Sequence, residues 1–299
     1  MLITHCVFVG ILLTEFCAAV GADFLSKFAP IMKLFLLAIC AAAIISGCNS
    51  TDNKPRPFAE GHWIDLTYPF DSTTLYWPNN AKGFNHTVDF KGISPMGYFY
   101  SSYSLSTPEH GGTHLDAPIH FAEGRETTDA VPLTSLTGEA VVIDVSENAL
   151  SNRDYRIGSA EIQRWEKANK TTIDNKILLF RTGYGQFYPD REKYFGTNLR
   201  GAEAIPLLHF PGIASEAADW IVKNRNVKAV GLDTPSLDYG QSTDFLTHRI
   251  LMENNIAGFE NVAHLDSLPA TGAYIVALPM KVSQGSGAPL RIIAHVSNQ

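Results

Sequence analysis

The segment His110-Gly-Gly-Thr-His114-Leu-Asp116-Ala-Pro-Ile-His120-Phe121 gathers three of the chain's ten histidines and one aspartate within eleven residues, in the spacing H-x3-H-x-D-x3-H. A divalent cation needs several neutral imidazoles or carboxylates converging on one point at about 2–2.6 Å. Gly111 and Gly112 let the backbone fold tightly between the first two histidines. His114 and Asp116 are two apart, so an extended stretch sets both on one face. Pro118 stops a regular helix from spreading the donors. A lone histidine more often caps or hydrogen-bonds than ligates, but three with an aspartate in this arrangement read as a metal site. H-E-x-x-H is absent, so this is not a zinc-protease helix.

Outward from this segment the chain reads as α/β. Short β-rich runs recur at Trp63–Thr67, Ala140–Val145, Lys176–Arg181, Lys228–Asp233, Tyr274–Leu278 and Arg291–Val296. Several are continuous and apolar, which suits strands buried on both faces. Helical patterns lie between some of them. Ser159–Lys170 opens on a serine N-cap with Glu161 two residues on. Ser215–Arg225 sets Ala217, Ala218, Ile221 and Val222 on one face, just after a Pro211-Gly212 turn. The expectation is a single domain with a mixed sheet over residues 62–299, long enough to bury a sizeable core. Neither G-x-G-x-x-G nor a P-loop occurs.

Composition narrows the function classes. The chain has 299 residues, with 23 Lys plus Arg against 30 Asp plus Glu and a net charge of −7. Nucleic-acid partners are not expected, because neutralising phosphates needs a concentrated basic excess. An apolar share of 45% with 18% charged residues is too apolar for a disordered chain. Cys6, Cys17, Cys40 and Cys48 all precede residue 49, so the body holds no disulfide, thiolate metal site or cysteine nucleophile. A G-x-S-x-G serine elbow is also missing.

Met32-Lys33, the apolar run Leu34–Ile45 and the small residues after it follow the pattern of a secretory signal peptide. The run is shorter than the roughly 20 residues a spanning helix needs. It closes on Ile45-Ser46-Gly47-Cys48, which resembles the bacterial lipobox and implies that Cys48 is lipidated and becomes the N-terminus. Residues 1–47 are then a leader with Met32 as its true start, and 48–61 are the lipidated cysteine and a polar, proline-bearing tether. Asn49 in place of Asp favours outer-membrane sorting, by resemblance to other lipoproteins. The expected location is the cell envelope, facing the periplasm.

The histidine segment resembles the H-G-[GT]-T-H-x-D-x-P-x-H signature of the cyclase family of metal-dependent amide hydrolases, which includes bacterial kynurenine formamidases and isatin hydrolases. Asp65-Leu-Thr, Tyr76-Trp77-Pro78 and the stretch Lys228 to Asp238 are similar to further family segments. The run His114–Arg125, with Val141-Val-Ile-Asp-Val145 and Asn152-Arg-Asp-Tyr155, is most similar to the isatin hydrolase branch. The resemblance implies a swivelling β/β/α fold that forms homodimers. It also implies His110, His114 and Asp116 as metal ligands and His120 as general acid/base. In the two-metal formamidases a later His and a Glu twelve residues on complete the site, and His248 and Glu260 have that spacing. In the isatin hydrolases, described with one manganese, the later His is more similar to a substrate contact. Gln241 is a further candidate oxygen donor, with a surface loop position as the alternative. Asp233 and Asp238 read as structural. One divalent ion is expected, Mn²⁺ favoured and Zn²⁺ the alternative, with a two-metal site left open.

The chemistry follows from these parts. A bound cation can lower the pKa of water from 15.7 to about 7, and a single histidine can take a proton and return it to the leaving nitrogen. Trp77, Phe99 and Phe121 are candidate walls for a flat aromatic lactam, the alternative being plain core residues. The expected reaction is hydrolysis of a cyclic amide, isatin to isatinate. One rival is an arylformamidase acting on N-formylkynurenine, which a periplasmic location counts against. A rival of another class is a non-catalytic lipoprotein that uses the metal to hold a ligand. His120 argues against that, since binding alone needs no general base.

Overall fold

The computed structural model describes Phe58 and residues 60–298; the leader, Met32 and Cys48 lie outside the described residues. The body is built on twelve strands. The first four are β1 (His62–Asp65), β2 (Asn85–Ile93), β3 (Phe99–Ser106) and β4 (His114–Asp116). Next come β5 (Thr137–Asp144), β6 (Arg156–Ile157), β7 (Ile177–Arg181) and β8 (Gly212–Ile213). The last four are β9 (Ala229–Leu232), β10 (Ala257–Glu260), β11 (Thr271–Pro279) and β12 (Gly287–Val296).

One sheet runs β1-β12-β11-β5-β7-β9-β10-β4, and β4 also pairs with β12, so the sheet closes on itself through every strand but β1. Strands β5, β7, β9 and β10 are parallel neighbours; β11, β12 and β4 join antiparallel. This is the expected mixed α/β sheet, rolled into a barrel. The period-2 alternation of strands splits its apolar residues between two cores. Val142, Leu179, Phe259, Ile275 and Ile292 fill the inside. Val141, Ile143, Leu178, Phe180, Val230 and Leu232 face outward. There they meet Ile162 and Trp165 of α1 (Ser159–Asn169), Ala217, Ala218 and Ile221 of α2 (Ser215–Asn224), and Leu251 of α3 (Leu246–Glu253). Burial on both faces explains why the central strands read as continuous apolar runs.

Two sequence expectations need correction. Ser159 is the first residue of α1 rather than its cap. Gly158 caps the helix, and the Glu161 carboxylate reaches back to accept its N–H at 3.0 Å. Phe99, expected in the pocket wall, lies instead on the ribbon β2–β3, which among the described residues pairs with no other strand and forms a separate two-stranded sheet. Among the described residues no helix is long and apolar enough to cross a membrane.

The site depends on where the barrel closes. Strand β4 lies between β10 and β12, with Glu260 opposite His114, and Gly258 and Gly287 flanking Asp116. Gly287 has to be glycine, since a Cβ there would sit 2.5 Å from the His110 ring. Gly111 is at φ +152, and a Cβ there would stand 2.1 Å from the Tyr76 ring.

Candidate metal centre

Strand β4 buries His114 and Asp116 side by side on one face, as alternate strand residues must be. Asp116 Oδ1 is 2.6 Å from His110 Nδ1 and 3.2 Å from His114 Nε2, and Oδ2 is 3.3 Å from His248 Nε2. Glu260, at the end of β10, brings Oε1 to 3.0 Å from His248 Nε2 and Oε2 to 3.5 Å from His114 Nε2. His248 comes from the first turn of α3. Five side chains from four segments thus point three ring nitrogens at two carboxylates.

The far nitrogen of each ring is also engaged. His114 Nδ1 donates to the Gly112 carbonyl at 2.9 Å, which leaves its Nε2 lone pair facing Asp116 and Glu260. His248 Nδ1 lies 2.6 Å from Asp238 Oδ2, and His110 Nε2 lies 2.9 Å from Ser286 Oγ. Outer partners of this kind orient metal-binding histidines. Asp238 is therefore structural in a specific sense: it aims His248. Asp233 accepts the Thr182 and Gly183 N–H groups and joins the ends of β7 and β9.

Ring lone pairs this near to buried carboxylates require a cation between them, whether proton or metal. The electrostatics agree. Burial pushes the His114 ring down, but Asp116 and Glu260 outweigh it and hold the pKa up at about 9. His248 is likewise raised against its burial by Asp116, Asp238 and Glu260. Burial works to raise Asp116, yet the His114 and His110 rings hold it well below the usual carboxylate range. Glu260 is raised, first by burial and then by Asp116. The donor set fits a divalent cation: His110, Asp116 and His120, and again His114, Asp116 and Glu260, bring one donor atom each within 4.8 Å of one another.

His120 ends a single 3-10 turn, Pro118–His120, and its ring stacks on His110 with centroids 3.8 Å apart. Burial pushes its pKa down to about 4; Asp116 opposes this, and the His110, His248 and His114 rings add to it. A neutral imidazole at the rim of the donors can accept a proton at neutral pH.

Above the donors opens a cavity of about 250 Å³. Tyr76, Trp77, Phe121, Phe195 and Phe245 wall it, and among the described residues no Lys or Arg lines it. Phe121 lies 5.3 Å from Phe245 and 4.7 Å from His248, centroid to centroid, and Trp77 lies 6.1 Å from Phe245. Of the candidate walls, Trp77 and Phe121 line the cavity. Phe99 does not: it sits on the separate ribbon, 61% exposed. Gln241 is also away from the donors. The chain after Asp238 turns towards residues 206–210, where Gly240 N–H donates to the Phe210 carbonyl and Gln241 Nε2 donates to the carbonyls of Pro206 and Leu208. Sequence reasoning missed Phe195 and Phe245, which no local spacing ties to the motif. It also missed Ser286 and Glu109, although Glu109 is adjacent to the first histidine.

Residues 64–239 match the family model for cyclases. Isatin hydrolase from Roseibium aggregatum is 27% identical over 208 residues, covering 67% of this chain and 76% of the relative. Kynurenine formamidase from Salinibacter ruber is 30% identical over 230 residues, covering 77% of this chain and 95% of the relative. Among solved structures, isatin hydrolase A from Labrenzia aggregata bound to benzyl benzoate superposes with a TM-score of 0.71 at 27% identity, covering 87% of this chain and 100% of that one.

Proposed function

The chain belongs to the cyclase family, as a metal-dependent hydrolase, and from that premise we propose that it opens a neutral, flat, cyclic aryl amide, isatin to isatinate. The observation that carries this is the aromatic cavity with no Lys or Arg in its lining. N-formylkynurenine carries an α-ammonium and an α-carboxylate, and burying that pair against the aromatic wall, away from the metal donors, would cost several kcal/mol. Isatin has no charge to desolvate and offers a flat face to Trp77, Phe121 and Phe245. The benzyl benzoate bound by the Labrenzia relative is likewise neutral and aromatic.

In this reading His110, His114 and Asp116 hold the metal, with His248 and Glu260 beside them as a second set of donors or a substrate contact. When bound, a divalent ion supplies Lewis acidity that polarises the amide carbonyl and acidifies water. The oxygen donors Asp116 and Glu260 favour Mn²⁺, with Zn²⁺ as the alternative. Water adds to the lactam carbonyl as His120 takes its proton. The ring C–N bond then breaks, and His120 returns the proton to the departing nitrogen, giving an aryl amine and a carboxylic acid that ionises by releasing its proton to solvent. The test is turnover by Mn²⁺-reconstituted protein. Isatin is expected to exceed N-formylkynurenine in kcat/KM; the reverse order selects the formamidase, and turnover of neither overturns both substrate assignments.

The chain is further proposed to act as an envelope lipoprotein, anchored through Cys48 to the outer membrane, and as a homodimer. The lipobox supports the first, and an N-terminal mass other than lipidated Cys48 overturns it. The ribbon β2–β3 supports the second. It exposes Val88, Ile93, Met96, Phe99, Tyr100 and Leu105, and a lone two-stranded ribbon is marginal in water.

A further inference from the structure

The Glu109 carboxylate lies behind His110, on the side away from the other donors. Its Oε2 accepts three hydrogens: the Ser286 N–H at 2.9 Å, the Ser286 hydroxyl at 2.7 Å and the Gly287 N–H at 3.3 Å. A serine hydroxyl has one proton to give. With that proton on Glu109, Ser286 Oγ can only accept from His110 Nε2, 2.9 Å away. Nε2 therefore carries the ring hydrogen, and Nδ1, 2.6 Å from Asp116 Oδ1, presents a lone pair.

The other two rings need no such device. His114 faces a carbonyl and His248 a carboxylate, and both can only accept. A hydroxyl alone among the three outer partners can donate as well as accept, so it fixes a tautomer only when something else claims its proton. The geometry points to Glu109 as a positioning residue that, through Ser286, holds His110 in the tautomer whose Nδ1 lone pair faces Asp116. This rests on the metal-hydrolase reading above. The surrounding packing keeps the relay in register. The Ser286 carbonyl accepts the Ala117 N–H at 2.9 Å, tying this loop to the end of the donor strand. A Cβ on Gly285 would already stand 3.0 Å from Glu109 Oε1.

Without Glu109 the Ser286 hydroxyl is free to donate to Nε2, which moves the ring hydrogen to Nδ1 and blocks that donor. The test is Zn²⁺ affinity of the chelator-stripped full chain, titrated against a competing chelator, with thermal unfolding of the stripped protein followed separately. Glu109→Ala and Ser286→Ala are each expected to weaken Zn²⁺ binding by about 10–100-fold, as loss of an outer-shell partner does. Glu109→Gln, whose side-chain oxygen accepts the same hydroxyl, should restore near-wild-type affinity. The double alanine variant should bind no worse than the weaker single, because the two residues act as one unit. Wild-type affinity in Glu109→Ala, a Gln variant as weak as the Ala variant, or losses that add in the double variant would each overturn the relay. Should Glu109→Ala not fold, Ser286→Thr against Ser286→Ala decides: Thr keeps the hydroxyl and should keep the affinity, and equal affinities overturn the relay. A wild type that does not bind Zn²⁺ overturns the metal-centre reading instead.

Discussion

The floor of the pocket is built around one strand and its neighbours, with His248 added from α3, whereas its wall comes from four separate places in the chain, none of them in the sheet. On the floor, His114 and Asp116 share β4, Glu260 faces them from β10, and His110 stands just upstream. Their positions are set by ladder pairings and by contacts of 2.6–3.5 Å. In the wall, Trp77, Phe121, Phe195 and Phe245 meet at ring separations of 5.3–6.5 Å. Close polar contacts fail abruptly when one partner is lost, because each leaves a buried charge or lone pair without its mate. Ring contacts fail by degrees, because each contributes through area. Damage to the floor should therefore be all-or-none and damage to the wall graded.

The largest expected effect is Asp116→Ala. Asp116 alone touches all three ring nitrogens, so its loss leaves the cluster without its central anion. Metal and activity should disappear together, and elemental analysis showing full metal occupancy in the variant would refute the assignment. His120→Ala comes next. It should keep the metal but lose about 10²–10⁴-fold in kcat, the usual span of a general acid/base. Near-wild-type kcat would remove His120 from proton transfer.

The same contrast explains what was legible in the sequence. The floor is local: H-x3-H-x-D-x3-H spans a tight turn, a three-residue strand and a 3-10 turn, so spacing alone brings His110, His114, Asp116 and His120 together. The central strands were legible because burial on both faces makes them continuous apolar runs. The N-cap of α1 lies one residue before the serine, because Glu161 stands at the third helical position only when Gly158 caps, and its carboxylate then accepts the Gly158 N–H. The wall was half legible. Trp77 and Phe121 lie near recognisable motifs, but Phe195 ends a five-residue helix and Phe245 precedes α3 in a left-handed turn, and only the closed barrel brings them over the donors. Phe99 misled because an aromatic strand near the motif reads the same whether it lines a cavity or stands on a free ribbon.

The wall offers the graded test. Trp77→Ala and Phe245→Ala should each raise KM for isatin about tenfold, since removing one ring's contact forfeits on the order of 1.5–3 kcal/mol at most and some of that area is regained by water-excluding neighbours. Metal content should stay at the wild-type level. Phe99→Ala should leave KM unchanged. An equal rise in all three variants would mean that the ribbon reaches the pocket and that floor and wall are not separable in this way.

The smallest expected effect is a flat pH profile. A histidine base with an ordinary pKa near 6.5 would lose activity as pH falls through that value. His120 is different, because burial holds its ring down at about 4. The sign is fixed by the role: only the neutral ring accepts a proton, so activity is present above the folded pKa and lost below it. A cation bound beside the ring pushes it further down, never up. With metal saturating and occupancy checked at each pH, kcat/KM should stay level from pH 8 to about pH 5 and fall only as pH approaches about 4. An acid limb centred near 6.5 with the metal still bound would show that the essential base is an exposed group outside the buried floor. Proton transfer would then belong to the open side of the pocket.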